Sequence, residues 1–131
     1  MFNSSLTKLT IKNVEYYAYH GVKEEERKLG GKYQVDLDMY YDAKAAVIND
    51  DVNYAINYEE ALFCVSGILT EENYALVETI ASEILSALMD KFDFLMKATV
   101  RVRKLTVPMR RAVDYIECEQ SVERENAEKI K

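Results

Sequence analysis

Histidine is scarce in this chain, with His20 the only one among 131 residues. The two cysteines, Cys64 and Cys118, lie far apart and form no CxxC pair. A structural zinc wants four His/Cys ligands and a catalytic zinc usually three that are rich in histidine, so zinc chemistry fails on ligand supply. The stretch Met1-Phe2-Asn3-Ser4-Ser5 lacks both a basic start and an apolar h-region, so no secretory signal is visible and the expected location is the cytoplasm. There the cysteines read as small buried hydrophobes rather than a disulfide. No apolar run is long enough to cross a bilayer, which argues against a membrane partner. Positive charge is also short: the formal net charge is −6, the wrong sign for holding a phosphate backbone, so no nucleic acid is expected. A local exception, Arg101, Arg103, Lys104, Arg110 and Arg111, reads as a solvated strand face and turn. Repeats, low-complexity tracts and linkers rich in Gly, Pro or Ser are missing. One domain over residues 1–121 with a charged, frayed tail over 122–131 is the expectation.

What is present is an ordinary globular balance, 49% hydrophobic and 31% charged, ample for one core. Partial alternation through Leu9, Ile11, Tyr16, Tyr17 and Tyr19 predicts a strand near 6–19. Cleaner alternation near 32–43 puts Val35, Leu37 and Met39 on one face and Asp36 and Asp38 on the other. Between them Gly21 to Gly31 forms a long charged connection holding Glu24, Glu25 and Glu26, and long loops are more often functional. Asn57 with Glu60 resembles a capping box and predicts a helix from Tyr58, its core stripe being Ala61, Leu62, Val65, Ile68 and Leu69. Val77, Ile80, Ala81, Ile84, Leu85 and Leu88 line a second helix. Strands near 97–104 and 110–120 close the chain, with Val107-Pro108-Met109 as the turn between them. The order ββααββ predicts an α+β fold, a four-stranded antiparallel sheet with two helices on one face. Its exposed edges predict a homo-oligomer.

Chemistry is sparse. Nucleophile motifs, a Gly-rich phosphate loop and a dinucleotide fingerprint are all missing, and Gly30-Gly31 reads as a turn. Lys104 stands out because period-two parity puts it with Val100 and Val102 rather than with Arg101 and Arg103. A lysine ending an apolar face is partly desolvated, which lowers its pKa and suits it to proton transfer; the alternative is a lysine that snorkels to water. Glu78, opening the second helix, is either a favourable first-turn charge or a carboxylate offered to paired N–H donors. Tyr58 opens the first helix, where a phenol could stack on a ring or pass a proton. His20 is expected to be packed or hydrogen-bonded.

Taken in order, these segments resemble the dihydroneopterin aldolase family of folate biosynthesis over roughly residues 6–120. The resemblance is carried by Tyr19-His20-Gly21 with its acidic loop, Gly30, and Tyr33-Gln34-Val35-Asp36-Leu37. It continues through Asp50-Asp51-Val52-Asn53-Tyr54-Ala55-Ile56-Asn57-Tyr58, Ala75-Leu76-Val77-Glu78 and Val100-Arg101-Val102-Arg103-Lys104. It implies the T-fold (tunnelling fold), tetrameric rings that often stack as octamers, and active sites between subunits. Lys104, Tyr58 and Glu26 would be catalytic. Glu78 would grip the pterin, helped by main-chain groups near Val77 and Ile56. Glu26 follows from its spacing from His20-Gly21, with Glu25 the neighbouring choice. The implied reaction is retro-aldol cleavage of 7,8-dihydroneopterin, with no metal and no cofactor. The chain departs from the family where a proline often follows the lysine: Leu105-Thr106-Val107 comes first and Pro108 later. The run Gly21 to Glu26 and the Lys104-Leu105 pair also resemble the sister branch, dihydroneopterin triphosphate 2′-epimerase, for which Arg101, Arg103, Arg110 and Arg111 could meet a triphosphate. A T-fold protein that binds a pterin or purine without turning it over is the alternative of a different class.

Overall fold

The structure, a computed structural model, describes residues 6–107 and 112–125. Four antiparallel strands run in spatial order β1-β2-β3-β4: β1 Thr7–Ala18, β2 Gly31–Tyr41, β3 Lys97–Lys104 and β4 Ile116–Glu123. Two longer helices, α3 Tyr58–Glu71 and α4 Val77–Lys91, cover one face. Two six-residue helices fall in the connections, α1 Glu24–Leu29 between β1 and β2, and α2 Lys44–Asn49 after β2. Neither was expected, because six residues carry too little periodicity to register as a helix. A single 3₁₀ turn, Val52–Tyr54, leads into α3.

The alternating apolar residues of the two central strands make the floor of the core. Val35, Leu37 and Met39 of β2 and Ala98, Val100 and Val102 of β3 are all fully buried. Above them lie Ala61, Val65 and Leu69 of α3 and Ile80, Ala81, Ile84 and Leu88 of α4. Burying each large side chain stabilises the fold by about 1.5–3 kcal/mol, so the helical stripes and strand faces specify one another. Asn57 caps α3 as expected, its side chain accepting from the Glu59 amide at 3.0 Å. Cys64 and Cys118 are free thiols, half-buried against this core.

The face turned away from the helices is polar, and its central arginines are withdrawn from solvent, which corrects the expectation for them. Arg103 is 7% exposed and Arg101 half-buried, each held in carboxylates. Arg103 places a bidentate pair on Asp36, 2.6 and 2.8 Å, and further bonds on Glu117, Asn13 and Gln34. Arg101 bridges Asp38 at 2.8 Å and Glu119 at 2.9 Å. The register makes this possible, since Asp36 faces Arg101 and Gln34 faces Arg103 across β2 and β3, while Glu119 and Glu117 face them across β4. On β1 the ladder shifts between Ile11 and Val14; Asn13, at φ 58°, turns its amide onto Asp36 at 2.8 Å.

β4 begins later than expected and ends later. Val113 and Tyr115 precede it and are exposed, while Val122 and Glu123 belong to it. Arg124 is anchored beyond it, donating to the carbonyls of Leu95, Met89 and Phe92, so the segment expected to fray starts as ordered chain. Pro108, Met109, Arg110 and Arg111, and residues 126–131, lie outside the described residues. Among the described residues no helix is long and apolar enough to cross a membrane.

Candidate active site

β3 ends at Lys104, and its pleat turns that side chain away from the arginines and toward the end of α3. There a cavity of about 100 Å³ is lined by His20, Glu25, Glu26, Gly31, Tyr33 and Lys104, with Leu29 and Thr106 among the residues around it. Lys104 pairs through Nζ with Glu26 Oε1, and both side chains are largely shielded. Glu26 arrives on α1, which is suspended between two glycines of positive φ, Gly21 at 144° and Gly30 at 73°. A Cβ on Gly21 would collide with the Glu26 carboxylate, so the close approach there needs glycine. The Glu26 carboxylate also accepts from the Lys23 amide at 3.0 Å. Burial pushes its pKa up, but the bonds from Lys104 and Lys23 outweigh that and leave it below its ordinary value. Glu25 is exposed at the rim, so Glu26 is the loop carboxylate that meets Lys104.

Two buried rings frame the cavity. Tyr33 lies beside Lys104 in the β2–β3 register, and its hydroxyl donates to the His20 carbonyl at 3.2 Å. Burial and the Glu26 charge push the Tyr33 phenol up to about 12, so it stays protonated. His20 is buried as expected, with both nitrogens engaged, Nε2 at 2.8 Å from the Leu69 carbonyl and Nδ1 at 3.0 Å from the Tyr74 amide. Burial lowers its pKa, the Leu69 carbonyl opposes that, and the Lys104 charge adds to the lowering. A neutral ring follows.

The remaining candidates divide by position. Glu78 and Val77 form the first turn of α4, whose preceding loop is tied to His20 and Gly21 through Tyr74. Gln120 of β4 donates to the Glu78 carbonyl at 3.0 Å, while the Glu78 side chain is exposed. Tyr58 and Ile56 stand elsewhere. Tyr58 opens α3 and Leu69, whose carbonyl meets His20, lies in its last turn; eleven residues at about 1.5 Å each put them roughly 16 Å apart. Tyr58 is 56% exposed beside a broad surface basin of about 450 Å³ that Ile56, Tyr41, Leu9 and Val52 also line. One chain therefore brings Lys104 and Glu26 together but sets Tyr58 and Ile56 apart from them. Sequence reasoning missed Tyr33 and Thr106 as cavity walls. The pairing of Tyr33 with Lys104 could have been found by aligning Val35 opposite Val102.

Known proteins resemble this chain along most of its length. The family model described as dihydroneopterin aldolase matches residues 9–121. Dihydroneopterin aldolase from Bacillus subtilis (strain 168) is 36% identical over 104 residues, covering 79% of this chain and 87% of that protein. Dihydroneopterin aldolase 1 from Arabidopsis thaliana is 30% identical over 110 residues, covering 83% of this chain and 75% of that one. A crystal structure from Vibrio cholerae assigned to the same family superposes with a TM-score of 0.82 at 26% identity, over 92% of this chain and 99% of that one. The Escherichia coli dihydroneopterin aldolase, solved in complex with neopterin, shares the fold with a TM-score of 0.76 at 23% identity, over 87% of this chain and 98% of that one. With the strand order, the two covering helices and the matched length all in agreement, the chain belongs to the dihydroneopterin aldolase family.

Proposed function

We propose that this chain cleaves the C1′–C2′ bond of 7,8-dihydroneopterin, giving 6-hydroxymethyl-7,8-dihydropterin and glycolaldehyde. The observation that carries the reading is Lys104, set at the end of an apolar strand face and paired with Glu26 inside a small cavity. Cleavage needs a base to take the 2′-hydroxyl proton, a place for the electrons of the broken bond, and an acid to return a proton to C1′. The dihydropterin supplies the electron sink itself through its C6=N5 imine, conjugated to the carbon being cut, so the reaction asks for no cofactor. Glu26 holds Lys104 and takes a proton from it; the neutral Lys104 then takes the 2′-hydroxyl proton and returns it to C1′ of the pterin. Glu78 grips the aminopyrimidine N–H edge, with main-chain groups of Val77 beside it.

A cavity of about 100 Å³ falls short of the roughly 300–1,000 Å³ usual for a small-molecule site, which supports completion by a second subunit. Tyr58 and Ile56, exposed or lining a basin at the far end of α3, are suited to serve a neighbour's Lys104, Tyr58 assisting reprotonation. Edge strands β1 and β4 suit closure into a tetrameric ring or a stacked octamer. The cytoplasm is the compartment proposed. Neopterin bound to the Escherichia coli neighbour supports a pterin as the ligand class. Of the arginines that could meet a triphosphate in the sister reaction, Arg101 and Arg103 are committed to carboxylates on the opposite face of the sheet, which weighs against that reading.

The test is to incubate the protein separately with 7,8-dihydroneopterin and with its triphosphate and to measure glycolaldehyde. Release from the first substrate is expected. An epimerised triphosphate with no release would move the chain to the sister branch, and no product from either would make it a binder.

A further inference from the structure

His20 has no part in the proton transfers above, yet it is buried in the cavity wall with both ring nitrogens engaged. The ring is 2% exposed, edge-on to Tyr33 at 5.4 Å and tilted against Tyr74 at 5.6 Å. A carbonyl only accepts and an amide N–H only donates, so Leu69 and Tyr74 together dictate one tautomer, with the proton on Nε2 and the lone pair on Nδ1. Gly21 completes the grip, its amide donating to the Tyr74 carbonyl at 2.8 Å. Consecutive residues His20 and Gly21 thereby hold both backbone polar groups of Tyr74.

Tyr74 lies three residues before α4 begins at Val77. The residue at the N-cap of α4 is Leu76, which offers no capping side chain, so the first turn of α4 is positioned from outside the helix. On its other side His20 leads through Gly21 to α1, and Arg27 of α1 returns to donate to the carbonyls of Gly21 and Val22 at 2.9 and 2.7 Å. One imidazole therefore stands between the segment that carries Glu78 and the segment that carries Glu26.

We propose that His20 is a positioning residue for pterin binding: by accepting from the Tyr74 amide it sets where α4 starts, and so holds Glu78 and the Val77 amide in register with the Lys104 cavity. This rests on the reading of Glu78 as the pterin anchor. The two ring nitrogens make separable contributions. An asparagine at position 20 offers its carbonyl oxygen near the place of Nδ1 and restores the acceptor for Tyr74. A glutamine offers its amide near the place of Nε2 and restores only the bond to Leu69, stranding the Tyr74 amide.

The experiment compares His20→Asn, His20→Gln and His20→Ala, with Glu78→Ala as reference, in the full-length protein. Equilibrium affinity is read with oxidised 6-hydroxymethylpterin, a fluorescent ligand without the side chain to be cleaved, alongside kcat and KM for dihydroneopterin and a thermal melt. Expected are a loss of affinity of about tenfold or more for His20→Gln and His20→Ala, with kcat at saturation within about threefold, and recovery to within about threefold for His20→Asn. Asparagine and glutamine variants of equal affinity would overturn the proposal, as would a fall in kcat at unchanged KM or failure of every His20 variant to fold. Should Glu78→Ala bind the pterin normally, the anchor reading itself fails, whatever the His20 variants do.

Discussion

Arg103 and Lys104 are consecutive residues of β3, both cationic, and the pleat sends them to opposite faces with opposite fates. Arg103 is surrounded by acceptors from three other strands, Asn13, Gln34, Asp36 and Glu117, all on rigid sheet. Lys104 meets one carboxylate, from a six-residue helix hung between two glycines. A charge saturated by a sheet cannot change partners without disturbing four strands. A charge with one partner on a short connection can release it to a substrate. The number of acceptors, and the elements that carry them, separate the structural cation from the proposed chemical one better than burial does, since both side chains are largely hidden.

The widest break in that comparison is Arg103→Met. It leaves Asp36, whose side chain is 8% exposed, without its charge partner and strands Asn13 as well. Removing one member of a buried pair costs about 3–5 kcal/mol, so the melting temperature should fall by roughly 10 °C or more. The fraction that stays folded should turn over dihydroneopterin at near the unmodified kcat. A melt unchanged within a degree or two would show that the network is ornamental.

Lys104→Ala should do the reverse. Glu26 keeps the bond from the Lys23 amide and sits on a six-residue helix of a connection rather than on the sheet, so the loss of stability should be smaller than for Arg103→Met. Loss of the proposed proton carrier should lower kcat by about 10²–10⁴, with affinity for a pterin retained within a few-fold. Single-turnover kinetics beside a denaturant titration separate the two effects. An unchanged rate would remove Lys104 from the mechanism.

Much of this contrast could be read from the chain, and its limits are physical. Strict alternation placed Val100 and Val102 on one face and Lys104 with them, because period two survives any tertiary context. Asn57 marked the start of α3 because a cap is a local interaction. The partners of Arg101 and Arg103 were hidden, since Asp36 and Asp38 lie more than sixty positions away and meet them only through the β2–β3 register. α1 does not register in the sequence because Glu24 to Leu29 shows no buried stripe; it is held by Gly30 and by contacts at its ends. Val113 and Tyr115 suggested an early start for β4, yet both are exposed ahead of it, alternation there belonging to no buried face. The distance between Tyr58 and Lys104 is likewise invisible in the sequence, where only the resemblance implies active sites between subunits.

The finest test of the comparison is the acid limb of the stability curve. The Asp36 carboxyl is held below its ordinary pKa, first by the bonds from Arg103, with burial opposing them. Glu26 is also held low, but there burial is the largest influence and pushes upward against the bonds from Lys104 and Lys23. For both, the unfolded chain binds a proton at a pH where the folded chain does not, so stability rises with pH across that interval. Each contribution is complete above the ordinary carboxylate range, about pH 4, and is lost as pH falls through the folded value. Urea titrations from about pH 5 down to pH 2 should therefore show a steep limb that Asp36→Asn flattens, by up to about 1.4 kcal/mol per pH unit at its steepest. Glu26→Gln should flatten it by less than that, because burial is the leading influence on the Glu26 carboxyl and opposes the bonds that hold it low, whereas at Asp36 the bonds from Arg103 lead. Equal flattening by the two substitutions would mean that the partner of Lys104 is held as rigidly as the partner of Arg103, and the division between structural and chemical cation on β3 would have to be abandoned.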